Sequence, residues 1–350
     1  MRLFYTLAVF ILASAGANVL GVSPELTGKQ RKIAAEFAAK FQALEKQNAH
    51  AISGPDGWLF LAADLRFLSV GCFWGDVAPK ISRAQKPEHA DPLPAILDFR
   101  DQLKQRGIEL LLVPVPPKPA IYADKILANI DPRLCNPAPC LHQFYDELRS
   151  RGVEVLDLEP LFLERREGEH GPVFCRTDTH WSGAGCVLAA RAIVGRIRHT
   201  ISLAPGANQY VAEWKSIEIK GDLASLLPAD IAKPGEERID VRTVLVQSTG
   251  KAVQADPDGP VLVLGDSHTL VYHEFHAEGA GLIDQMADSF GFAPDLIGTR
   301  GSGASAVRVG LYRRSHRDPQ YLAKKKIIVW CFAAREFIEA DGWPKLPVAP

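Results

Sequence analysis

The chain has 350 residues, and its 40 basic and 41 acidic side chains give a formal net charge of −1. This length is enough to bury a full hydrophobic core in one large domain or two modest ones. The balanced charge gives no reason to expect nucleic acid or an anionic membrane surface as a partner.

Residues 1–17 differ in character from the rest of the chain. Arg2 precedes an apolar run that extends to Ala13, and small residues follow with an A-x-A-like cleavage pattern. The run is too short to span a bilayer comfortably, so we predict a secretory signal and a periplasmic protein. An uncleaved anchor in the inner membrane is the alternative interpretation.

The next part of the chain, residues 18–50, is predicted to be mainly helical. Apolar residues recur at helical spacing from Pro24 to about Gln47, which is typical of an amphipathic helix. A Gly-Pro-Asp-Gly turn then leads into the apolar strand Trp58–Leu61. The charged, proline-containing stretch Lys80–Pro94 is predicted to be a surface loop.

A unit of helix, glycine and buried strand then occurs twice. The first unit is a helix from Ile96 to about Arg106 followed by the strand Ile108–Val115, and the second is a helix over Leu141–Ser150 followed by the strand Val153–Leu158. Such a repeating unit is typical of an α/β sheet covered on both faces.

Two more buried strands lie in the second half of the chain. A small-residue helix is predicted from Ser182 to about His199, and an irregular polar region from about Ile201 to Pro260. The apolar run 261–264 and the final run Lys326–Phe332 are the strands. We therefore predict an α/β fold over residues 51–350, with a mostly parallel central sheet between two helical layers.

Three side chains form a candidate catalytic triad. Asp178 and His180 lie two residues apart, so in an extended segment both side chains point to the same side of the backbone. Ser267 follows a buried strand at a tight turn. A carboxylate that orients an imidazole, which in turn deprotonates a hydroxyl, is the arrangement that makes serine a nucleophile.

Alternative interpretations apply to each part of this triad. A D-x-H pair and a G-D-S turn are both common by chance, and Asp266 is also a reasonable helix cap. His268 is a competing histidine, but it should project from the opposite side of the backbone and act only in support. The Ser267 N–H is the first candidate for an oxyanion donor.

Other side chains are candidates for contacts around the site. Lys118 and Arg335 follow strand ends, although Lys118 is most simply explained as a solvated charge. Arg300 lies in a glycine-rich loop without P-loop spacing and without a strand closely before it, and is a candidate transition-state cation. Trp181 is either a core residue or a platform for a sugar ring.

The six cysteines suggest disulfides if the chain is exported. The pair Cys135 and Cys140, separated by a short loop with two prolines, is the most plausible local bridge, and a bridge between Cys175 and Cys186 would brace the Asp/His stretch. The alternative is that some of them are small buried hydrophobes. Because no C-x-x-C pair is present, we predict no metal site, and we predict no cofactor.

Several segments together resemble one known family. They are Gly57–Phe60, Pro114–Lys118 with Tyr122, Thr177–Ser182, Gly265–Ser267, and Trp330 with Arg335 and Glu336. In this order they resemble the SGNH-hydrolase-like O-acetyltransferases of exopolysaccharide assembly, of the alginate-acetylating AlgJ and AlgX type. Most SGNH enzymes carry the G-D-S block first, so the resemblance implies an SGNH-like fold with a circularly permuted motif order.

The resemblance also implies a function. It implies that Ser267 is the nucleophile, His180 the base and Asp178 its orienting carboxylate, with Trp330 and Arg335 near the substrate. The expected enzyme moves an acetyl group onto polysaccharide hydroxyls outside the cytoplasm, with a membrane acyltransferase delivering the acetyl group. A carbohydrate acetylesterase with the same triad, or a non-catalytic polysaccharide-binding subunit, are the alternatives.

Overall fold

The computed structural model of the protein describes residues 26–350. The predicted signal at residues 1–17 therefore lies outside the described residues, as does the start of the predicted helical segment. Within residues 26–350, no helix combines the length and apolar character needed to cross a bilayer. The predicted division of the chain at residue 51 stays a prediction.

Eleven strands and thirteen α-helices are assigned in the described part of the chain. The strands are β1 (Ala51–Ser53), β2 (Leu59–Leu61), β3 (Glu109–Val115), β4 (Glu154–Val155), β5 (Glu167–Gly168), β6 (Gly171–Pro172), β7 (Tyr210–Ile219), β8 (Glu237–Val246), β9 (Val261–Gly265), β10 (Asp295–Gly298) and β11 (Ile327–Ala333). The helices are α1 (Gly28–Lys46), α2 (Ala62–Ser69), α3 (Ala78–Ile81), α4 (Pro92–Lys104), α5 (Lys118–Ile121), α6 (Pro132–Cys135), α7 (Pro139–Ser150), α8 (Glu159–Glu164), α9 (Gly183–Thr200), α10 (Ser267–Leu270), α11 (Leu282–Phe290), α12 (Ala306–Arg317) and α13 (Glu336–Glu339).

The centre of the fold is a five-stranded parallel sheet in the order β10-β9-β11-β3-β4. β11 lies in the middle, paired with β3 over seven residues on one side and with β9 on the other. Because every residue of β9 and β11 is buried, these strands read as continuous apolar runs. The predicted mostly parallel sheet is confirmed.

Alternate residues of the central strands face two separate hydrophobic cores. Leu112, Leu264 and Trp330 belong to the core beneath α1, α2, α4, α7 and α12. Val113 and Val263, on the opposite face, belong to the core beneath α9 and α11. Burying a large apolar side chain stabilises the fold by about 1.5–3 kcal/mol, so the sheet is held from both sides as the three-layer prediction requires.

The predicted N-terminal helix is present in the described residues as α1. α1 begins at Gly28 because the Thr27 side chain accepts the Gln30 N–H while the Gln30 side chain accepts the Thr27 N–H. Its apolar residues, including Ile33 and Phe37, pack into the core shared with α4. The helical prediction for this segment is confirmed from residue 28 to residue 46.

Two predictions about irregular structure are wrong. The region 201–260 contains the ten-residue strands β7 and β8, paired antiparallel along their whole length. The stretch 80–94 is not a continuous loop, because α3 ends within it and α4 begins at Pro92, where Asp91 caps the helix. Asp91 accepts the Leu93 N–H, and proline at the first helical position needs no hydrogen-bond acceptor.

The parallel strands bring five strand ends to one edge of the sheet. β3 leads to Lys118, β9 to Ser267, β10 to Arg300, β11 to Arg335, and β4 to Glu159. Reactive groups of parallel α/β sheets collect at this carboxyl edge. The candidate residues from distant parts of the chain are therefore carried to one side of the molecule.

Candidate active site

Ser267, His180 and Asp178 form a continuous hydrogen-bonded chain. Ser267 is the first residue of α10, directly after β9, and its Oγ lies 2.7 Å from His180 Nε2. His180 Nδ1 lies 2.6 Å from Asp178 Oδ1. A carboxylate accepts only, so Nδ1 carries the proton, and Nε2 is left to accept the proton of the serine hydroxyl.

The backbone that carries Asp178 and His180 is a tight loop, and the expected extended segment is wrong. The Cys175 N–H donates to the His180 carbonyl, which closes the loop. Asp178 turns back, so that Oδ1 accepts both the backbone N–H of His180, at 3.0 Å, and its Nδ1. The two side chains meet because of this local turn, rather than because they share one face of a strand.

Asp178 is almost fully buried and is held as a carboxylate. Its Oδ2 accepts the Asp222 N–H at 3.0 Å and lies 3.3 Å from His276 Nε2. Burial acts to raise the pKa of Asp178, but hydrogen bonds from His180 and His276 and the charge of His180 outweigh it, so the pKa lies well below its ordinary value. The carboxylate therefore stays ionised behind the imidazole.

The pKa of His180 is shifted upward, opposite to the shift of Asp178. Burial acts to lower its pKa, but the hydrogen bond and charge of Asp178, with the charges of Asp222 and Asp266, raise the pKa above its ordinary value. A more basic imidazole accepts a serine proton more readily. The site is thus suited to general-base chemistry.

The loop is anchored by two carboxylates that the sequence did not single out. Glu237, at the start of β8, accepts the N–H groups of Arg176 and Thr177 at 2.7 and 2.8 Å and the Thr177 hydroxyl at 2.8 Å. Asp222 accepts the Thr179 N–H at 2.8 Å and its hydroxyl at 2.6 Å. These residues lie in the region predicted to be irregular.

One glycine explains how the Asp222 backbone reaches the site. A Cβ at Gly221 would lie 2.1 Å from the Thr177 carbonyl oxygen, which no side chain can tolerate. Glycine therefore allows the two backbones to touch and presents the Asp222 N–H to Asp178. Alternation along Tyr210–Ile219 is the sequence signal that would have revealed the preceding strand.

Lys118 is not a solvated charge. Its side chain is buried, and Nζ donates to the carbonyl oxygens of Arg176 at 2.8 Å and Asp178 at 3.0 Å, with the Trp58 ring 5.3 Å away. Burial lowers its pKa to about 8, against the raising effect of Cys175 and nearby carboxylates. Lys118 thus supports the backbone of the Asp/His loop and has no open space to face.

The turn at Ser267 is organised by Asp266, which acts as the helix cap that the sequence left as an alternative. Its Oδ1 accepts the His268 N–H at 2.9 Å, and its Oδ2 accepts the Ala333 N–H at 2.7 Å. Burial acts to raise its pKa, but His268, the Ala333 N–H and Arg335 lower it to about 2. Asp266 therefore connects the turn that carries Ser267 to the end of β11.

His268 is buried beside the triad and does not contact Ser267 Oγ as the base does. Its Nδ1 lies 3.1 Å from Asp266 Oδ1, and its ring centroid is 4.8 Å from that of His180. Burial lowers the pKa of His268. Asp266 acts to raise it, but the charges of His180 and Arg335 lower it further, so the pKa lies below its ordinary value. The geometry matches the supporting position predicted for it.

The two tryptophans proposed as substrate contacts lie in the core instead. Trp181 and Trp330 both have 0% exposure. Trp181 packs edge-on against His268, and Trp330 packs on Phe99 while its indole N–H donates to the Gly303 carbonyl at 2.8 Å. With no exposed ring face, neither residue can stack on a sugar, so the core interpretation of Trp181 is the one that applies.

Arg300 and Arg335 have different surroundings. Arg300 is exposed, and its guanidinium carbon lies 4.2 Å from the ring centroid of Phe275, which itself packs edge-on against His180. β10 ends two residues before Arg300, so the statement that no strand precedes it closely is wrong. Arg335 is largely buried and its Nη1 lies 3.2 Å from Asp64 Oδ1. Of these two arginines, Arg300 is the one that is free to approach a bound molecule.

The backbone N–H of Ser267 is available as an oxyanion donor. Within residues 26–350 it has no hydrogen-bond acceptor, while the N–H groups of Asp266, His268 and Thr269 all do. Ser267 itself is partly exposed. A carbonyl carbon held at its Oγ can therefore bring its oxygen to this N–H.

One group in the described chain has the composition and spacing of a metal site. Ligand atoms of Asp178, His180 and Asp222 all lie within 4.8 Å of one another. Each already takes part in hydrogen bonds, since Asp222 accepts from Thr179 and Asp178 accepts from His180. Hydrogen bonding within the protein accounts for this cluster without an ion.

The predicted local disulfide between Cys135 and Cys140 is wrong. The Sγ of Cys140 lies 2.9 Å from that of Cys72, which comes from the loop after α2. Cys175 and Cys186 are buried and make separate hydrogen bonds, so they do not form the predicted brace. No sulfur–sulfur bond joins the cysteines in the part of the chain that the structure describes.

Comparison with known proteins agrees with this fold. A family model described as "SGNH hydrolase-like domain, acetyltransferase AlgX" matches residues 51–289. The fold and the Ser–His–Asp geometry define an SGNH-hydrolase-like α/β domain. The chain belongs to this SGNH hydrolase-like acetyltransferase family, as its motifs predicted.

Individual relatives extend the comparison. The chain is 28% identical over 241 residues to the probable alginate O-acetylase AlgJ of Pseudomonas syringae pv. tomato, a match that covers 66% of this chain and 57% of that protein. It is 30% identical over 217 residues to the Pseudomonas aeruginosa protein of the same name, a match that covers 61% of this chain and 50% of that protein. The chain thus spans only about half the length of these relatives.

Solved structures share the fold. The O-acetyltransferase domain of Pseudomonas putida AlgJ superimposes with a TM-score of 0.62 at 22% identity, covering 83% of this chain and 92% of that one. Pseudomonas aeruginosa AlgX gives a TM-score of 0.57 at 16% identity, covering 81% and 62%. These likenesses confirm the predicted three-layer SGNH-like fold.

Proposed function

We propose that the protein is an O-acetyltransferase that moves an acetyl group onto hydroxyls of an exported polysaccharide through an acetyl-Ser267 intermediate. The observation that carries the proposal is the 2.7 Å separation of Ser267 Oγ and His180 Nε2, with Asp178 behind the imidazole. The family to which the chain belongs, and relatives named as probable alginate O-acetylases, support acetyl transfer as the reaction.

The first half-reaction loads the serine. Ser267 Oγ attacks the acetyl carbonyl of the donor while His180 Nε2 takes the hydroxyl proton, and Asp178 stabilises the imidazolium that forms. The Ser267 N–H holds the oxygen of the tetrahedral intermediate. When the intermediate collapses, the donor's leaving oxygen takes the proton from His180, and the acetyl group stays on Ser267.

The second half-reaction runs the same steps with a sugar. A polysaccharide hydroxyl gives its proton to His180 as its oxygen attacks the acetyl carbonyl. Collapse of this second intermediate returns the proton from His180 to Ser267 Oγ and leaves an acetyl ester on the sugar. Water in place of the sugar gives acetate, so a carbohydrate acetylesterase uses the same residues.

The surroundings of the reaction are part of the proposal. The relatives' names point to alginate, so the acceptor is an exported polysaccharide of that kind, and the protein acts in the periplasm. The acetyl donor is delivered by a membrane acyltransferase, and nucleic acid has no role. Arg300 is the cation at the edge of the site that is free to stabilise negative charge on substrate or transition state.

One experiment separates the candidate functions. The protein is supplied with an activated acetyl ester and an unacetylated oligouronate, and both acetate release and mass gain of the sugar are followed. We expect mass gain that Ser267→Ala abolishes and that Ser150→Ala, on the exposed surface of α7, leaves unchanged. Acetate without mass gain would identify an esterase, and turnover of neither substrate would identify a binding subunit.

A further inference from the structure

The chain turns back over the Asp/His loop immediately after α10, in residues 271–276. Two residues of this segment, Tyr272 and His276, have φ angles of 64° and 63°. The left-handed region is unfavourable for bulky side chains, and residues held in it concentrate at functional sites. Contacts with the rest of the protein must therefore stabilise the segment in this conformation.

Tyr272 attaches one end of the segment to the Asp/His loop. Its side chain is fully buried, and its hydroxyl donates to the Trp181 carbonyl at 3.0 Å and lies 3.1 Å from Cys175 Sγ. Cys175 and Trp181 stand on either side of the loop that carries Asp178 and His180. The tyrosine thus ties the segment to both arms of the loop.

His276 contacts the loop at the other end. Its Nε2 lies 3.3 Å from Asp178 Oδ2, the oxygen that His180 Nδ1 does not use. Phe275 lies between the two histidines, with its ring centroid 5.7 Å from that of His180 and 5.2 Å from that of His276. The segment therefore touches both members of the Asp/His pair through adjacent side chains.

We propose that His276 is a positioning residue that fixes the orientation of Asp178, and through it that of His180. Besides His276, Oδ2 has the Asp222 N–H as its donor, at 3.0 Å. Without His276, Oδ2 keeps the Asp222 N–H as its single donor, so the carboxylate rotates more easily, and rotation takes Oδ1 out of line with His180 Nδ1. The left-handed backbone at His276 is what aims its imidazole at Asp178. This inference rests on the proposed function.

Two substitutions separate the effect of the contact with Asp178 from the effect of the left-handed backbone at residue 276. Asn tolerates the left-handed region well, but its amide is too short to reach Asp178 Oδ2 from position 276. Gln places an amide nitrogen close to where the histidine Nε2 stood. His276→Asn therefore keeps the backbone and removes the contact, while His276→Gln keeps a donor. His273→Gln is the matched control, since His273 lies in the same segment but contacts Asp284, at 2.9 Å.

The measurements are kcat and KM for an acetyl ester, and the rate at which an organophosphorus fluoride labels Ser267. For His276→Asn we expect about a tenfold loss in kcat and in labelling rate with KM unchanged, the size typical for one lost contact to an ionised group. His276→Gln should lose much less, and His273→Gln should match the wild type. Equal rates for His276→Asn and wild type, or equal losses for Asn and Gln, would overturn the proposal.

A spectroscopic measurement tests the inference even if the proposed function fails. The NMR signal of the His180 Nδ1 proton, which Asp178 holds, should be sharp in the wild type and in His276→Gln, and should exchange faster with water in His276→Asn. An unchanged signal in His276→Asn contradicts positioning by His276. Absence of ester turnover in the wild type, by contrast, contradicts only the proposed function.

Discussion

At the residue scale, the site contains two copies of one local arrangement with opposite electrostatics. In Asp178-Thr-His180 and Asp266-Ser-His268 alike, the aspartate Oδ1 accepts the histidine backbone N–H and contacts its Nδ1. Burial opposes the charge on both imidazoles, yet the pKa of His180 is raised and that of His268 is lowered. The difference arises because the charges of three carboxylates favour the proton on His180, whereas His268 has Asp266 alone, with the charges of His180 and Arg335 acting against it.

The raised pKa of His180 predicts how activity decreases at acidic pH. The base must be neutral to accept a proton, so kcat/KM should fall as the pH decreases through the pKa of His180, with its midpoint above the ordinary value of 6.5. A pH–rate profile with an acetyl ester measures this. A midpoint well below 6.5 would mean that Asp178 does not act on His180 as the geometry indicates.

Asp178→Asn tests the same pair by substitution. The amide can donate to His180 Nδ1, which favours the wrong tautomer, so kcat should fall by about 10⁴-fold. Folding should be preserved, because Asn keeps the size of the side chain, and circular dichroism checks this. A fall of less than tenfold in a folded variant would show that Asp178 has no part in activating Ser267.

At the element scale, the hairpin β7–β8 supports the Asp/His loop from outside the central sheet. The connection between its strands carries Asp222, and β8 begins with Glu237, so the two anchoring carboxylates come from one supersecondary unit. Neither residue touches Ser267. The hairpin acts by holding the backbone that presents Asp178 and His180.

Glu237→Gln should weaken this support. The substitution leaves one carbonyl oxygen for the donors of Arg176 and Thr177, so hydrogen exchange across residues 176–180 should become faster and kcat should decrease by about tenfold. Glu236→Gln, on the exposed adjacent position, is the control. Unchanged exchange in Glu237→Gln would contradict an anchoring role for the hairpin.

The elements differ in how far sequence patterns could predict them. β3, β9 and β11 were predicted because burial on both faces makes them unbroken apolar runs. The edge strand β10 was missed because it begins with Asp295, whose charge is balanced by Lys325 at 2.9 Å and Arg314 at 2.8 Å. A buried ion pair of this kind cannot be read from local hydropathy.

The same limit applies to the site. Asp178, His180 and Ser267 could be predicted because each lies in a short motif with a chemical rationale. Glu237 and His276 could not, because their roles depend on distances to residues far along the chain. Lys118 was predicted to be exposed because its local sequence does not show that its ammonium group donates to the carbonyl groups of two residues far along the chain.

The contact between Cys72 and Cys140 predicts which disulfide forms on oxidation. Both thiols lose their protons and two electrons pass to a disulfide oxidant, such as oxidised glutathione, joining the loop after α2 to α7. Peptide mapping without reduction should find Cys72 linked to Cys140, and Cys72→Ser should abolish the link. A Cys135–Cys140 peptide would contradict the arrangement described.

At the scale of the whole molecule, each of four central strands is followed at its carboxyl end by a buried ionisable group. Lys118 follows β3, Glu159 follows β4, Asp266 follows β9 and Glu336 follows β11, and all four are buried. Burial raises the pKa of Glu159, with help from Asp157, to about 8. Burying these groups at the edge that carries the candidate site lowers the free energy of unfolding.

Glu159 makes global stability depend on pH. Its folded-state pKa lies above its ordinary value of 4.5, so its contribution is fully present below pH 4.5 and is lost as the pH rises through about 8. The loss is on the order of 5 kcal/mol for a fully buried group. Glu159→Gln, which stays neutral, should lose less stability than the wild type between pH 5 and pH 9, as measured by urea unfolding. A parallel decline in both proteins would refute a protonated, buried Glu159.

The proposed function requires an acetyl group on Ser267 during turnover, and this intermediate can be trapped. The protein is mixed with an activated acetyl ester, quenched in acid within the first turnover, and digested for mass analysis. We expect one acetyl group on the peptide containing Ser267, formed faster than it is lost and absent from His180→Ala. Turnover of the ester with Ser267 unmodified, or with the acetyl group on another residue, would contradict it.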